Sequence, residues 1–363
     1  MIDSIYIHIP FCDNICSYCD FAKVYYYPEL ANKYLKILEK EMGTVKTNHF
    51  YKTIYIGGGT PSALNLEELE CLFNMINRFE LSKNYEFTVE CNIENITLDK
   101  LKLFKKYGVN RLSIGVQSFN EKNLAFLDRK YTKKEIIEKI KLVKKEGFDN
   151  INIDIIYALP NQTLKELEED IDIFIKLNIN HISTYSLILE SNTKLSIQKI
   201  IPIDEELDRK MYDLICRKLK ENGYIHYEVS NFCMPGYESK HNKTYWKNQK
   251  YYGFGLGASG YINNIRYTNT KSITNYLKGS IRCIEEIQTV LSELENEIIL
   301  NFRTIDGINK KCFIKKYGFD LKMKYKIEDL ITKNIIIETD TNYYINEDYW
   351  YLLNEILLRF IEE

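Results

Sequence analysis

Cys12, Cys16 and Cys19 stand at a C-x3-C-x2-C spacing in one short loop, directly after the β-like run Tyr6-Ile7-His8-Ile9. Iron–sulfur clusters are held by cysteine thiolates, normally four of them. Three from one loop hold three irons of a cubane and leave the fourth open, and an open coordination position marks a metal centre that does chemistry. Zinc is the alternative, and it wants a fourth Cys or His at ligand spacing. None follows closely: His8 lies inside the apolar run, and Phe21 takes the place of a fourth close cysteine. A second element with chemical content is Gly57-Gly58-Gly59-Thr60-Pro61. Glycines let a backbone approach a ligand closely. Main-chain groups there can bind an amino-acid-like ligand such as the methionine end of S-adenosylmethionine. Alone, the run fits a tight strand-to-helix turn equally well, and no G-K-[ST] follows to make it a phosphate loop. Glu90 and Asp154 are candidates for ammonium or ribose hydroxyls, and Gln117 and Arg129 for carboxylate or adenine edges. A buried salt bridge, a helix cap or a solvated charge run would use the same residue types.

These residues fall at the exits of strands. β-like segments at Ser4–Ile9, Thr53–Ile56, Glu86–Glu90, Arg111–Val116, Asn150–Ile156 and His181–Leu187 alternate with helical patterns. The helices are expected near Pro28–Val45, Leu66–Phe79, Leu98–Tyr107, Lys133–Glu146 and Leu164–Leu177. Asn65 and Thr97 read as N-caps, Thr163 with Glu166 as a capping box, and Gly108 and Gly147 as C-cap glycines. Repeated βα units mean an α/β fold with a parallel sheet. Six of them over residues 1–200 predict a partial (βα)6 TIM-like barrel, whose active site gathers at the C-terminal strand ends. Each strand has an apolar body and a polar exit. Residues 201–283 read as an extension of the barrel. It holds a helix at Glu205–Glu221, a strand at Tyr224–Val229, and His241-Asn242-Lys243-Thr244-Tyr245-Trp246 in an irregular, aromatic, glycine-rich stretch. Residues 284–363 read as a small, mostly helical, winged-helix-like unit. Its helices are expected near Gln288–Asn301, Lys310–Tyr317, Lys322–Thr332 and Trp350–Ile361, with a β-pair at Ile335–Glu338 and Tyr343–Ile345.

At 363 residues the chain has room for about two domains. A net charge of -2 argues against nucleic acid as a partner. Nine cysteines, an odd and unevenly spaced set, do not read as a secreted disulfide framework. No transmembrane run and no basic, apolar leader precede the first strand, so a cytoplasmic location is expected.

The cysteine spacing is the signature of radical S-adenosylmethionine proteins. From residue 4 to about residue 260 the chain resembles the oxygen-independent coproporphyrinogen III oxidase group. The matching pieces include Tyr6–Cys19, Gly57–Ser62, Glu90–Asn92, Gly108–Phe119, Asn152–Pro160, Tyr227–Phe232 and Gly253–Gly260. Oxidases of that group carry C-x3-C-x2-C-x-C, whereas its heme-chaperone branch has Phe at the last position and an H-N-x-x-Y-W motif. Phe21 and His241–Trp246 resemble the chaperone branch, and the chain begins too near its cysteines for the oxidases' N-terminal arm. The resemblance implies a [4Fe-4S] cluster on Cys12, Cys16 and Cys19. It implies S-adenosylmethionine contacts from Tyr6, Gly58, Gly59, Thr60, Glu90, Gln117, Arg129 and Asp154, and heme carried as cargo through His241. The recipient would be a hemoprotein, such as a membrane-bound respiratory enzyme. The alternative it implies is oxidative decarboxylation of porphyrinogen propionates. Four departures from the pattern bear on the site: Ile93 for Pro, Tyr131 for His, Asn161 for Gly, and Ser191-Asn192 for Pro-Gly.

Overall fold

The structure, a computed structural model, describes residues 2–45, 49–191 and 193–361. Asn192 therefore lies outside the described residues. Nine strands form one sheet. In chain order they are β1 (Ser4–Ile9), β2 (Tyr51–Gly58), β3 (Leu81–Asn92), β4 (Arg111–Gln117), β5 (Asn150–Tyr157), β6 (His181–Ser186), β7 (Ile225–Glu228), β8 (Asn231–Cys233) and β9 (Tyr252–Phe254). The spatial order is β9-β1-β2-β3-β4-β5-β6-β8-β7. All pairings from β9 to β6 are parallel, and β8 and β7 add antiparallel at the far edge. The six expected barrel strands are thus present and are extended at both edges. β8 and β9, three residues each, fall where no strand was expected. A further three-stranded antiparallel sheet (Ser259–Ile262, Ile265–Asn269 and Arg282–Ile287) was likewise not foreseen.

The helices that follow the strands start where the sequence asks. Asn65 with Glu68, Thr132 with Glu135 and Thr163 with Glu166 all close capping boxes. Gly108 and Gly147 take φ of +80° and +77°, which ends each helix and turns the chain into the next strand. Asn161 sits at φ +61°. The position needs a left-handed backbone, which Asn tolerates better than other side-chain-bearing residues, so the exchange for Gly is accommodated.

Strand alternation explains the layers. Leu112, Ile114 and Val116 of β4, and Ile151, Ile153 and Ile155 of β5, are fully buried in the apolar core. The intervening residues Arg111, Ser113, Gly115 and Gln117, with Asn152 and Asp154, line an internal cavity instead. The polar residues therefore run down the whole inner face, where an apolar body with a polar exit was expected. Period-two alternation dictates this arrangement.

One apolar core runs from Ile5 to Tyr276, so residues 201–283 share it with the barrel. A second core begins at Leu294 and ends at Phe360. There the expected helix Lys322–Thr332 is two helices, Leu321–Lys324 and Glu328–Thr332. Tyr325 turns extended between them and packs its ring 5.2 Å from that of Phe360. The expected last helix is mixed 3-10 and α, with only Leu353–Leu357 fully α. Ile308–Asn309 adds a third strand to the expected β-pair. No helix of the described residues is long and apolar enough to cross a membrane.

One tie in the barrel makes stability depend on pH. Asp170, on helix Leu164–Lys176, is buried and accepts from Ser118 Oγ (2.5 Å) and Phe119 N (2.9 Å) just past the end of β4. Burial pushes its carboxyl up to about 6, against those two hydrogen bonds. A raised acid stabilises the fold fully below its unfolded value, near 3.9, and loses that contribution as pH rises through the folded value. Asp170→Asn keeps the shape, and Ser118 can accept from its amide. The stability difference is expected to move in the variant's favour by on the order of 3 kcal/mol between pH 4 and pH 8. Thermal melts of both proteins across that range check it; parallel curves would contradict it.

Candidate functional site

The cysteine loop is clasped at its base. Phe11–Cys12 pairs in parallel with Val24–Tyr25, and Val24 N donates to Pro10 O (2.8 Å) while Tyr26 N donates to Cys12 O (2.9 Å). His8 adds a second clasp. Its Nε2 donates to the Ala22 carbonyl (2.7 Å), and its Nδ1 accepts from Tyr6 OH (3.0 Å). His8 is thus a support for the loop, missed by treating the strand only as apolar. The Tyr-x-His spacing puts both rings on one strand face and was the available signal. Burial lowers this imidazole to about 4, keeping it neutral. None of the three cysteines of the loop is in a disulfide.

The glycine run lies against that loop. Gly59 N donates to Ile9 O (2.9 Å) and Thr60 N to Phe11 O (2.8 Å). A Cβ on Gly59 would stand 2.7 Å from the Pro10 carbonyl and 3.0 Å from Cys12 Sγ; one on Gly58 (φ +120°) would stand 2.7 Å from the His8 ring. Only glycine fits between the loop and the strand exit. Gly58 N donates to Glu90 Oε2 (2.9 Å), and Tyr55 OH donates to Glu90 Oε1 (2.7 Å). Burial pushes Glu90 up to about 7 against those two donors, and it raises Asp154 as well.

Arg129 reaches across the mouth. It donates to Asn92 Oδ1 (2.9 Å) and Tyr18 OH (2.8 Å). Tyr131 turns inward and donates to the carbonyls of Gly115 (2.8 Å) and Val116 (3.2 Å), so it braces the end of β4. There the ladder slips between Gly115 and Gln117, and Gln117 adopts φ +69°. Bulges of this kind re-aim a side chain beside a functional site.

These groups enclose one cavity of about 510 Å³, within the usual size of a small-molecule site. Its walls include Cys12, Cys16, Cys19, Gly58, Gly59, Thr60, Glu90, Gln117, Arg129 and Asp154. Ten of the twelve residues singled out from sequence therefore face one space. Tyr6 and His241 do not. Tyr6 lies behind the wall, stacked on Tyr55 with ring centroids 6.1 Å apart.

His241 sits on a short helix, Lys240–Trp246, where an irregular segment was expected. The helix closes the N-terminal end of the barrel, opposite the cysteines. The Glu86 carboxylate of β3 accepts from its first amides, Lys240 N and His241 N, both at 3.0 Å. Ser4 of β1 bonds Thr244 (2.9 Å), and Thr53 of β2 bonds His241 Nδ1 (2.8 Å). His241 Nε2 is taken by Tyr245 OH (2.7 Å), and the ring stacks 5.1 Å from Tyr55. The imidazole is 1% exposed, and both nitrogens have protein partners. Asn242, the next residue of the motif, lines the cavity from below.

The chain matches the Radical SAM superfamily over residues 6–174. It is 38% identical to the heme chaperone HemW of Lactococcus lactis subsp. lactis (strain IL1403), with 99% of this chain and 97% of that protein covered. It is 39% identical to the heme chaperone HemW of Bacillus subtilis (strain 168), with 99% of each covered. This chain belongs to the HemW family. Membership in the radical SAM superfamily implies a [4Fe-4S] cluster and S-adenosylmethionine, and the thiol loop, the glycine cradle and the polar cavity fit both. The fold is that of coproporphyrinogen III oxidase (HemN) from Escherichia coli, with a TM-score of 0.87 over 98% of this chain and 89% of that one, at 20% identity. Phe21 lies in the cavity wall and is 69% exposed, so an apolar ring stands at the mouth.

Proposed function

We propose that this protein is a heme chaperone that carries a [4Fe-4S] cluster on Cys12, Cys16 and Cys19 and delivers heme to a recipient hemoprotein, such as a membrane-bound respiratory enzyme. The full-length similarity to proteins named heme chaperone HemW carries the reading. A cytoplasmic setting suits thiols that form no disulfide.

When bound, an open-iron cluster supplies one-electron chemistry to S-adenosylmethionine. The protein's own residues do the rest. Gly58, Gly59 and Thr60 let the backbone approach the cofactor's amino-acid end. Glu90 and Asp154 offer acceptors to ammonium or ribose hydroxyls. Gln117 and Arg129 offer partners to carboxylate or adenine edges, and Tyr6 holds His8 and Tyr55 in place behind them. Exposed Phe21 and Ile188 in the wall, with Tyr185, make the rim of the mouth apolar.

Ligation of heme iron by His241 requires a ring nitrogen to be released. Thr53→Val removes one of its two partners and is expected to speed heme uptake severalfold. His241→Ala is expected to weaken the Soret shift on heme titration. Stopped-flow and equilibrium absorption check both; if both variants match the wild type, His241 is not the heme ligand. Anaerobic incubation with coproporphyrinogen III, S-adenosylmethionine and a one-electron reductant tests the function itself. No protoporphyrinogen IX is expected, and rapid conversion would overturn the chaperone reading in favour of the oxidase.

A further inference from the structure

Arg111 opens β4 on the inner face of the barrel, 2% exposed and in the wall of the cavity. Among the described residues its guanidinium has no hydrogen bond and no ion pair, and its Nε is buried without a partner. An arginine cannot shed its proton, and a buried one whose Nε has no partner is costly; the carboxylates of Glu90 and Asp154 meet its charge only through space, without a contact. A residue kept this way needs a reason, and packing alone would be served by an uncharged side chain of the same length.

Its position supplies one. Arg111, Ser113, Gly115 and Gln117 follow one another along the inner face of β4, all in the cavity wall. Arg111 and Gln117 stand six steps apart along the strand, about 20 Å of rise. The cavity therefore reaches from the cysteine rim down the inner face of β4 to Arg111. Asn242 enters the same floor from helix Lys240–Trp246, and no side-chain hydrogen bond holds its amide among the described residues. Ser113, Asn152 and Ser183 line the wall above, linked by Asn152 Nδ2 to Ser113 Oγ (2.8 Å) and Ser183 Oγ to Asn152 Oδ1 (3.1 Å). Glu90 and Asp154 share the lumen, so a multiply charged phosphate would meet repulsion. A single carboxylate matches the planar fork of one guanidinium.

We propose that Arg111, with Asn242, forms a carboxylate-binding site on the cavity floor, remote from the cysteine rim. The ligand of the proposed function that can bring such a group to the floor is a tetrapyrrole, in its propionates, since the amino-acid end of S-adenosylmethionine is taken at the rim. The identity of the ligand rests on that reading; the site rests on the geometry of Arg111.

Arg111→Met and Arg111→Lys in the full, cluster-loaded chain test it. Binding of heme is compared with binding of heme dimethyl ester by the Soret band. Arg111→Met is expected to weaken heme binding at least tenfold (about 1.4 kcal/mol) and binding of the ester hardly at all. Arg111→Lys should recover part of the loss, the iron–sulfur absorption should be unchanged, and the ligand-free melting temperature of Arg111→Met should not fall. Equal affinities in variant and wild type overturn the site, as does a lower melting temperature with equal losses for acid and ester. Wild-type protein that binds neither ligand overturns the functional reading, and the site with it.

Discussion

Cys16→Ala is expected to abolish the thiolate-to-iron absorption of anaerobically reconstituted protein. On the proposed function Cys16 would be the middle ligand of a loop with no fourth cysteine in reserve, since Phe21 stands at the next close position. Outer-shell partners of metal ligands alone are worth about 10–100-fold in metal affinity, so loss of one of three ligands costs more. The loop is clasped at Pro10–Val24, Cys12–Tyr26 and His8–Ala22, with no side-chain hydrogen bond from Cys16. The variant should therefore melt as the wild type does when both are iron-free. Iron content and visible absorption after desalting check the prediction, and an unchanged spectrum would remove the cluster from this loop.

Gly59→Ala is expected to be nearly as damaging, by a different route. The added methyl meets the Pro10 carbonyl at 2.7 Å and Cys12 Sγ at 3.0 Å. The obstacle is backbone, and Pro10 O is already held by Val24 N, so no side chain can swing aside. The loop and the glycine run must part. Overpacking of this kind costs about 1–3 kcal/mol, and it displaces Cys12 from its partners. Lower melting temperature and lower iron loading are expected together. An alanine variant that loads iron normally would mean the two segments are not in contact.

Much of this site was legible in the sequence. The strand exits at Cys12, Gly58, Glu90, Gln117 and Asp154 converge because βα repeats set strand direction, and their caps mark where each strand begins. Asn65, Thr97 and Thr163 cap their helices, as their chemistry requires. What escaped lies inside the barrel or in short segments. β8 and β9 are three residues long, too short for periodicity to register. His241 looked irregular because its helix is seven residues, held by Glu86, Ser4 and Thr53 from strands distant in sequence. Arg111 read as the ordinary start of a strand. The alternation Arg-Leu-Ser-Ile-Gly-Val-Gln did carry the signal, since period two sends the polar residues to one face, and the surrounding barrel makes that face a cavity.

The floor and the rim are joined by two lines of contacts that part at Tyr55. His241 stacks on Tyr55, Tyr55 OH donates to Glu90, and Glu90 accepts from Gly58 N. Tyr55 also stacks on Tyr6, which holds His8 and through it Ala22 of the cysteine loop. On the proposed function, movement of the floor helix on heme binding would reach the rim through these groups.

The most direct measurement is heme transfer. Cluster-loaded protein is titrated with heme, freed of excess, and mixed with an apo-hemoprotein while the Soret band is followed. A saturable band on this protein is expected, and it should pass to the acceptor at a rate above that of free-heme equilibration through solution. No saturable band, or a band that never leaves, would contradict it.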